Sequence, residues 1–471
     1  MKITFGTDGW RGIIGEDFTL DNAKKFTLGV VHFLKESKTK NSLMIGYDTR
    51  FNSKLIAHQI SDLLIQEGVN VFPSNSHVPT PVITHSIKHQ KADGAIMVTA
   101  SHNPFEWNGL KFRTMNGISP SSEITMKIQN YANNSPQQSH SKIKGICKIF
   151  DPKIDYFNGI KKLINLEKIK NSNYKIIVDP MYGAGINYLI ELLGKDLIHK
   201  EIHNVINPIF PGLKQPEPIN SNLNTLKKEV VKENADIGIA FDADADRLGI
   251  VTSRGEVLST LDVYALLAKY LLKDKSLKGP LVKTITSTNM LSEIGRKYGI
   301  KVLETPVGFK YVAPKMIETS AIMGGEESGG YAFSNHLFER DGIFSALMFL
   351  EMLIETKQPL LNIFDELKAE YGNYFYKRFD CHLEDNTKKQ KLIEKVSNLK
   401  IKSIGNLRII NYDNIDGLRL HFKNGWLLFR FSGTEPLLRI YCETQGSNKT
   451  ETLISTALDL LGFKNNNDSS H

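Results

Sequence analysis

The 471-residue chain is 41% hydrophobic and 23% charged, a globular composition that excludes disordered and collagen-like classes. Its length predicts about three domains, with a core large enough to need no disulfide or metal staple. The net charge of +8 admits either nucleic acid or an anionic metabolite as partner; the lysines are dispersed and no aromatic-basic recognition motif occurs, so a metabolite is expected and nucleic acid is not.

Phe5-Gly-Thr-Asp-Gly-Trp-Arg-Gly12 opens the chain. No secretory signal precedes it, and the longest apolar run, Ile343 to Ile354, is broken by Ser345 and Glu351. Cys147, Cys381 and Cys442 stand far apart without a CxxC pair, which points to a reducing compartment and away from structural zinc. A cytoplasmic protein with no membrane association is therefore expected. Leu43 to Tyr47 reads as a strand leading into Asp48-Thr49-Arg50. Ser53 is expected to N-cap a helix carrying Leu55, Ile56, Ile60, Leu63 and Leu64, with Gly68 at its C′ position. The buried strand Ala95-Ile96-Met97-Val98 follows, ending in Thr99-Ala-Ser-His-Asn-Pro104. The polar stretch Asn133 to Ser141 reads as a surface loop closing a first α/β domain, residues 1–150.

The second α/β domain, 151–259, has a strand at Tyr174 to Val178 ending in Asp179-Pro-Met-Tyr-Gly-Ala-Gly185. Its next buried strand, Ala235 to Phe241, ends in Asp242-Ala-Asp-Ala-Asp-Arg247, and Ser253-Arg254-Gly255 is expected to be a hairpin turn. The third, 260–373, opens on a helix carrying Val263, Leu266, Leu267, Tyr270 and Leu271. Strands are expected at Leu281 to Thr284 and Lys301 to Leu303, and Ile322-Met323 runs into Gly324-Gly-Glu-Glu-Ser-Gly-Gly330. From 374 to 471 the pattern changes to strands at Leu407 to Asn411, Leu418 to Phe422, Trp426 to Phe431 and Leu437 to Cys442, with Asn424-Gly425 as a turn and a helix from Lys449 to Leu461. This is a smaller α+β domain, and the terminal Asn-Asn-Asn-Asp-Ser-Ser-His is expected to be disordered.

Each strand-end loop carries its own chemistry. Ser101 is presented where ligands of open α/β sheets bind, so its hydroxyl can carry a phosphoryl group. Asn108-Gly109-Leu110-Lys111 supplies a turn and an amine able to fold back toward it. Neighbours in a strand point to opposite sides, so Ser101 and His102 are not expected to form a nucleophile-base pair; His102 could do acid/base work but is expected in a supporting, hydrogen-bonding role. Asp242, Asp244 and Asp246 repel one another unless a cation neutralises them. The segment is no EF-hand, because Arg247 and Ser253 stand where that loop needs Gly and Glu, and oxygen-only ligands favour Mg²⁺ over zinc. Glu326 and Ser328, among glycines that allow close backbone approach, can grip vicinal sugar hydroxyls. Arg430, Ser432, Gly433, Thr434 and Arg439 combine guanidinium, hydroxyls and a glycine turn into a phosphate cradle. Trp10, Trp107 and Trp426 are expected to pack rather than stack on a ligand.

With all four loops in order from Phe5 to about Tyr441, the chain resembles the α-D-phosphohexomutase superfamily, and within it the phosphoglucomutase/phosphomannomutase family. The resemblance implies three related α/β domains and a smaller fourth around a central cleft. It implies Ser101 as the phosphoserine and Mg²⁺ on Asp242, Asp244, Asp246 and Ser101. Arg11, His102, Lys111, Arg247 and Lys283 match basic or polar cleft positions, and Gly308 lies in the specificity loop Thr305-Pro-Val-Gly-Phe-Lys310. The implied reaction interconverts hexose 1- and 6-phosphates through a hexose 1,6-bisphosphate, in a monomer or homodimer. Lys111 is expected to be the general acid/base, its pKa lowered by neighbouring cations.

Three departures from the family pattern bear on substrate. Ala243 replaces a common glycine without removing a ligand. Glu327 and Gly329-Gly330 differ from the glutamine and histidine usual in phosphoglucosamine mutases, which favours glucose over glucosamine. A histidine of some mannose-competent members is absent from the specificity loop, which leaves mannose possible but second. Phosphoglucosamine mutase is the main alternative, and a metal-dependent sugar phosphatase a remote one.

Overall fold

A computed structural model describes residues 2–134, 141–433 and 436–463. The first sheet runs in the order Trp10–Ile13, Trp107–Thr114, Gly94–Val98, Ser42–Tyr47, Asn70–Pro73. Its last three strands are parallel, while Trp107–Thr114 returns antiparallel against Gly94–Val98. The second sheet repeats the plan: Ile198–Glu201, Ile176–Asp179 and Ile237–Phe241 are parallel, and Leu248–Thr252 returns antiparallel. So does the third, with Val302–Thr305, Leu281–Thr284 and Met323–Gly325 parallel and Tyr331–Phe333 antiparallel. In all three, a parallel strand ends in a loop and the chain turns back beside it. The loops at 99–106, 242–247 and 326–330 are therefore topologically equivalent.

The local sequence explains these elements. Gly94–Val98 and Ile237–Phe241 are unbroken apolar runs, buried at every position, as strands covered by helices on both faces must be. Thr19 caps helix Leu20–Glu36, Ser259 caps Thr260–Lys273 and Asp341 caps Gly342–Thr356, each side chain accepting an orphan backbone N–H. Ser53, however, is not a cap. It is the first residue of helix Ser53–Gln66, after Asn52 at φ +60°, and its hydroxyl donates to Asp48 instead.

The fourth unit is an antiparallel sheet in the order Phe375–His382, Leu437–Thr444, Gly425–Phe431, Leu418–Phe422, Asn411–Asp413, backed by helices Asn386–Ser397 and Ser447–Leu461. The expected strand at 407–411 is two pieces: Leu407–Arg408 pairs with Ser403–Ile404 in a separate ribbon, and Asn411–Asp413 joins the main sheet. Phe422 pairs with Gly425, so the tight turn is Lys423-Asn424 and Gly425 already belongs to the strand. The expected loop residues 135–140 and the terminal segment from 464 lie outside the described residues.

One apolar core runs through the first three units, joining Val82 and Met97, Tyr156 and Phe241, and Leu267 and Phe349. The fourth unit has a core of its own around Leu420, Phe429, Ile440 and Ala457. A small cluster, Ile285 with Trp426, Leu428 and Tyr441, joins it to the third. Among the described residues no helix is long and apolar enough to cross a membrane.

Candidate active site

The three equivalent loops bring Ser101, the aspartate trio and Glu326 to one place. Ser101 is buried and its hydroxyl donates to Asp242 Oδ2 at 2.7 Å. Asp242, Asp244 and Asp246 are fully buried, with one carboxylate oxygen from each within 4.8 Å of the others. Both Ser101 (φ +50°) and Ala245 (φ +52°) adopt the left-handed conformation, which costs an L-residue roughly 1–2 kcal/mol. The bend at Ser101 also overturns the expectation that serine and histidine point apart. Ser101 sits in a turn rather than a strand, and its Oγ lies 3.5 Å from His102 Nδ1.

Charge is balanced across unit boundaries. Lys111 Nζ donates to Asp244 Oδ2 at 2.7 Å and Asp246 Oδ2 at 3.1 Å, and pairs with Asp8 at 2.9 Å. Arg340, from the third unit, pairs with Asp246 at 3.1 Å, Asp8 at 2.5 Å and Glu326 at 3.6 Å. Thr80 donates to Asp244 Oδ2 at 2.5 Å. The aspartates are thus partly neutralised by protein cations. Even so, Asp244 Oδ1 and Asp246 Oδ1 are buried and accept no hydrogen bond, so the donor set fits a hard, oxygen-seeking cation such as Mg²⁺. Burial, then Asp246 and Asp244, push Asp242 well above the usual carboxyl range.

The expected lowering of the Lys111 pKa is reversed. Burial pulls its ammonium down, but Asp244, Asp246 and Asp8 outweigh burial and raise it. His102 is held well below the usual imidazole value by burial, then by Arg247, Arg11, Lys111 and Arg50. Arg11 donates to Asn103 Oδ1 at 2.5 Å, and Arg247 to Glu217 at 2.5 Å while standing 4.0 Å from Asp242 and Asp246. Burial, opposed by Arg340, pushes Glu326 up to about 7. Ser328 lies half-buried in the same loop.

Glu327 faces elsewhere. Its carboxylate accepts from Thr286 Oγ1 at 2.6 Å and Thr284 Oγ1 at 3.3 Å, back into the third sheet. Lys283 is also turned inward: its ammonium is buried against Glu304 at 3.2 Å and the Thr288 carbonyl at 3.0 Å. In the fourth unit Arg430 and Arg439 are cross-strand neighbours. Arg430 donates to Asp416 Oδ2 at 2.8 Å, and the same oxygen accepts from Val307 N, beside Gly308, at 3.0 Å. Ser432 is buried and Gly433 exposed, while Thr434 lies outside the described residues. Trp10 and Trp426 are packed inside. Sequence reasoning assigned no role to Asp8, inside the opening Phe5–Gly12 motif, or to Thr80 and Arg340, which carry no motif of their own; all three matter through distant partners.

Four family models match in chain order: phosphoglucomutase/phosphomannomutase alpha/beta/alpha domain I at residues 2–139, domain II at 154–255, domain III at 262–371, and the C-terminal domain at 383–459. A phosphoglucomutase/phosphomannomutase of Thermococcus kodakarensis is 31% identical, with 98% of this chain and 99% of that protein covered. A phosphoglucosamine/phosphogalactosamine mutase of Sulfurisphaera tokodaii is 30% identical over 97% of this chain and 98% of its own. A crystal structure from Thermus thermophilus superposes with a TM-score of 0.86 at 29% identity, covering 98% of this chain and 99% of that one.

Proposed function

The chain belongs to the phosphoglucomutase/phosphomannomutase family of phosphohexomutases, and from that premise we propose that it interconverts glucose 1-phosphate and glucose 6-phosphate through a phosphorylated Ser101. In the forward half-reaction the free hydroxyl oxygen of the hexose 1-phosphate bonds to phosphorus as the bond from phosphorus to Ser101 Oγ breaks. The hydroxyl loses its proton and Oγ regains one, which leaves a hexose 1,6-bisphosphate. After the bisphosphate reverses in the cleft, the same exchange returns the other phosphoryl group to Ser101. Lys111, expected as the proton carrier, is held charged by Asp244, Asp246 and Asp8. His102, 3.5 Å from Oγ and with its pKa held low by burial and the surrounding cations, is therefore the better candidate for moving the proton, and Lys111 would serve as a fixed positive charge.

Asp242, Asp244, Asp246 and Ser101 would hold Mg²⁺, which when bound draws charge from the transferring group. Arg11 and Arg247 add positive charge on the near side. Glu326 and Ser328 would hold the sugar hydroxyls. Arg430, Ser432, Gly433, Thr434 and Arg439 would cradle the phosphate that is not reacting, with Lys283 and Gly308 shaping the junction behind it. The observation that carries this reading is the meeting of one serine hydroxyl with a buried carboxylate trio contributed by a different domain.

A second reading, the interconversion of glucosamine phosphates, is supported by the likeness to the phosphoglucosamine/phosphogalactosamine mutase, and Glu327 does not oppose it. Its carboxylate is engaged with Thr284 and Thr286, so Glu in place of Gln there does not count against an amino sugar. Initial rates with the 1-phosphates of glucose, mannose and glucosamine, each with a trace of the cognate bisphosphate, separate the sugars. Ser101→Ala should abolish turnover of all three, and intact mass after incubation with bisphosphate should show one phosphoryl adduct mapping to Ser101. Appreciable turnover by the variant would remove Ser101 from the mechanism.

A further inference from the structure

Beneath the Ser101 loop lies a buried guanidinium that the reaction scheme does not use. Arg50 follows strand Ser42–Tyr47 by three residues, and its side chain runs under the loop. Nη1 donates to the carbonyls of Pro104 at 2.8 Å and Trp107 at 3.0 Å. Nη2 donates to the carbonyls of Ser101 and Asn103, both at 2.5 Å. Nε pairs with Asp48 at 3.4 Å. The outer face of the guanidinium is closed by the Phe210 ring of the second unit, 5.0 Å away.

Asp48 supports the loop from its other end. It accepts from the Arg50 backbone N–H and the Ser53 hydroxyl. Its backbone N–H donates to the Val98 carbonyl at 3.0 Å, just before Thr99, whose hydroxyl oxygen accepts from the Ser101 N–H at 2.8 Å. The turn at Ser101 is thereby fixed on both sides of its peptide unit: the N–H through Thr99, the carbonyl through Arg50.

We propose that Arg50 is a positioning residue for phosphoryl transfer, clamping four carbonyls of the 101–107 segment so that Ser101 keeps its left-handed turn and its Oγ stays aimed at the carboxylate trio. This rests on the reading of Ser101 as the phosphoryl carrier. Only a planar, five-donor group can span four carbonyls and a carboxylate at once; a lysine ammonium has three donors from a single point. Arg50 touches neither sugar nor phosphate in this role, so it acts on transfer and not on substrate affinity.

The test compares wild type, Arg50→Lys and Arg50→Ala in glucose 1-phosphate turnover with a trace of glucose 1,6-bisphosphate. Misplacing a reacting atom by about 1 Å costs roughly 100-fold in rate, so kcat should fall about 100-fold in both variants while KM stays within about threefold. Added guanidinium ion should restore part of the kcat of Arg50→Ala and leave Arg50→Lys unchanged. The proposal is overturned if Arg50→Lys keeps kcat within about twofold of wild type, or if kcat and KM worsen together. Failure of guanidinium rescue in a folded Arg50→Ala also overturns it. If Arg50→Ala does not fold, Arg50→Lys decides alone; failure of both to fold assigns Arg50 to stability and overturns the proposal as well. Wild-type enzyme is the separate control: a missing phosphoryl adduct there sinks the Ser101 reading, whatever the Arg50 variants do.

Discussion

Glu326 and Glu327 are adjacent in sequence and opposite in task. Glu326 is buried beside Arg340 and faces the site, whereas Glu327 accepts from Thr284 and Thr286 behind the loop. Glu327→Gln should therefore leave the ratio of kcat/KM for glucose and glucosamine phosphates within about threefold of wild type, and Glu326→Gln should lower kcat/KM about 100-fold, since an NH2 donor then replaces one of the two carboxylate oxygens proposed to accept from sugar hydroxyls and the charge facing Arg340 is lost. Burial raises Glu326 to about 7, so the carboxylate proposed to accept from sugar hydroxyls is complete only above that pH. The wild-type profile of kcat/KM should then carry an acidic limb near pH 7 that is missing in Glu326→Gln. The sign for stability is the reverse. A carboxyl whose pKa is raised on folding stabilises fully below its unfolded pKa, and that contribution is lost as pH rises through about 7. Activity and stability therefore respond to this one group in opposite directions, and a limb unchanged in Glu326→Gln would assign it to another group.

Helix Thr80–Gln90 of the first unit begins against the aspartate loop of the second. Thr80 N donates to the Asp244 carbonyl at 3.0 Å and its hydroxyl to Asp244 Oδ2 at 2.5 Å, so the helix N-terminus orients a candidate ligand across a domain boundary. Thr80→Val keeps the shape and removes the hydroxyl. Outer-shell partners of this kind are worth roughly 10–100-fold in metal affinity, so activity against free Mg²⁺ should half-saturate at roughly tenfold higher concentration. An unchanged curve would make Thr80 a packing residue only. Nothing around Thr80 in the sequence announces this contact, because its partner lies 164 residues away. Strand-end loops are different: an unbroken apolar run followed at once by Asp242, or within three residues by Ser101, states both a buried strand and a polar group at its ligand-binding end. That is why the three loops, their strands and the change of pattern after the third unit were legible. Left-handed Ser101 was not, since no propensity places serine there and the turn is held by Arg50 and Thr99 from below. The helix start at Ser53 failed for a related reason, a long-range demand from Asp48 outweighing a local cap.

A continuous core makes the first three units mechanically one body, while the fourth keeps a core of its own and meets the third through a short apolar contact and a few charged links. The strongest link is Arg419, which pairs with Glu304 across the junction and with Asp413 within its own unit. Burial works against the Glu304 charge, but Arg419 and Lys283 hold its pKa down at about 2. The sign follows: the pair stabilises the junction above the unfolded carboxyl pKa and loses that contribution as pH falls through about 2. At neutral pH the same link can be cut by mutation. Arg419→Met keeps much of the side-chain volume and leaves Glu304 with only Lys283. Losing charge-assisted hydrogen bonds to a partly buried carboxylate that keeps a second cation costs about 1.5–3 kcal/mol, enough to loosen a unit joined by so little apolar surface. Calorimetry should then resolve two transitions, a lower one for the fourth unit and an upper one near the wild-type temperature for the rest. Mutase turnover should fall with KM raised, because the proposed phosphate cradle at Arg430 would no longer be held against the segment at Val307. A single transition displaced as a whole would mean that the four units unfold together and that the junction is part of one core.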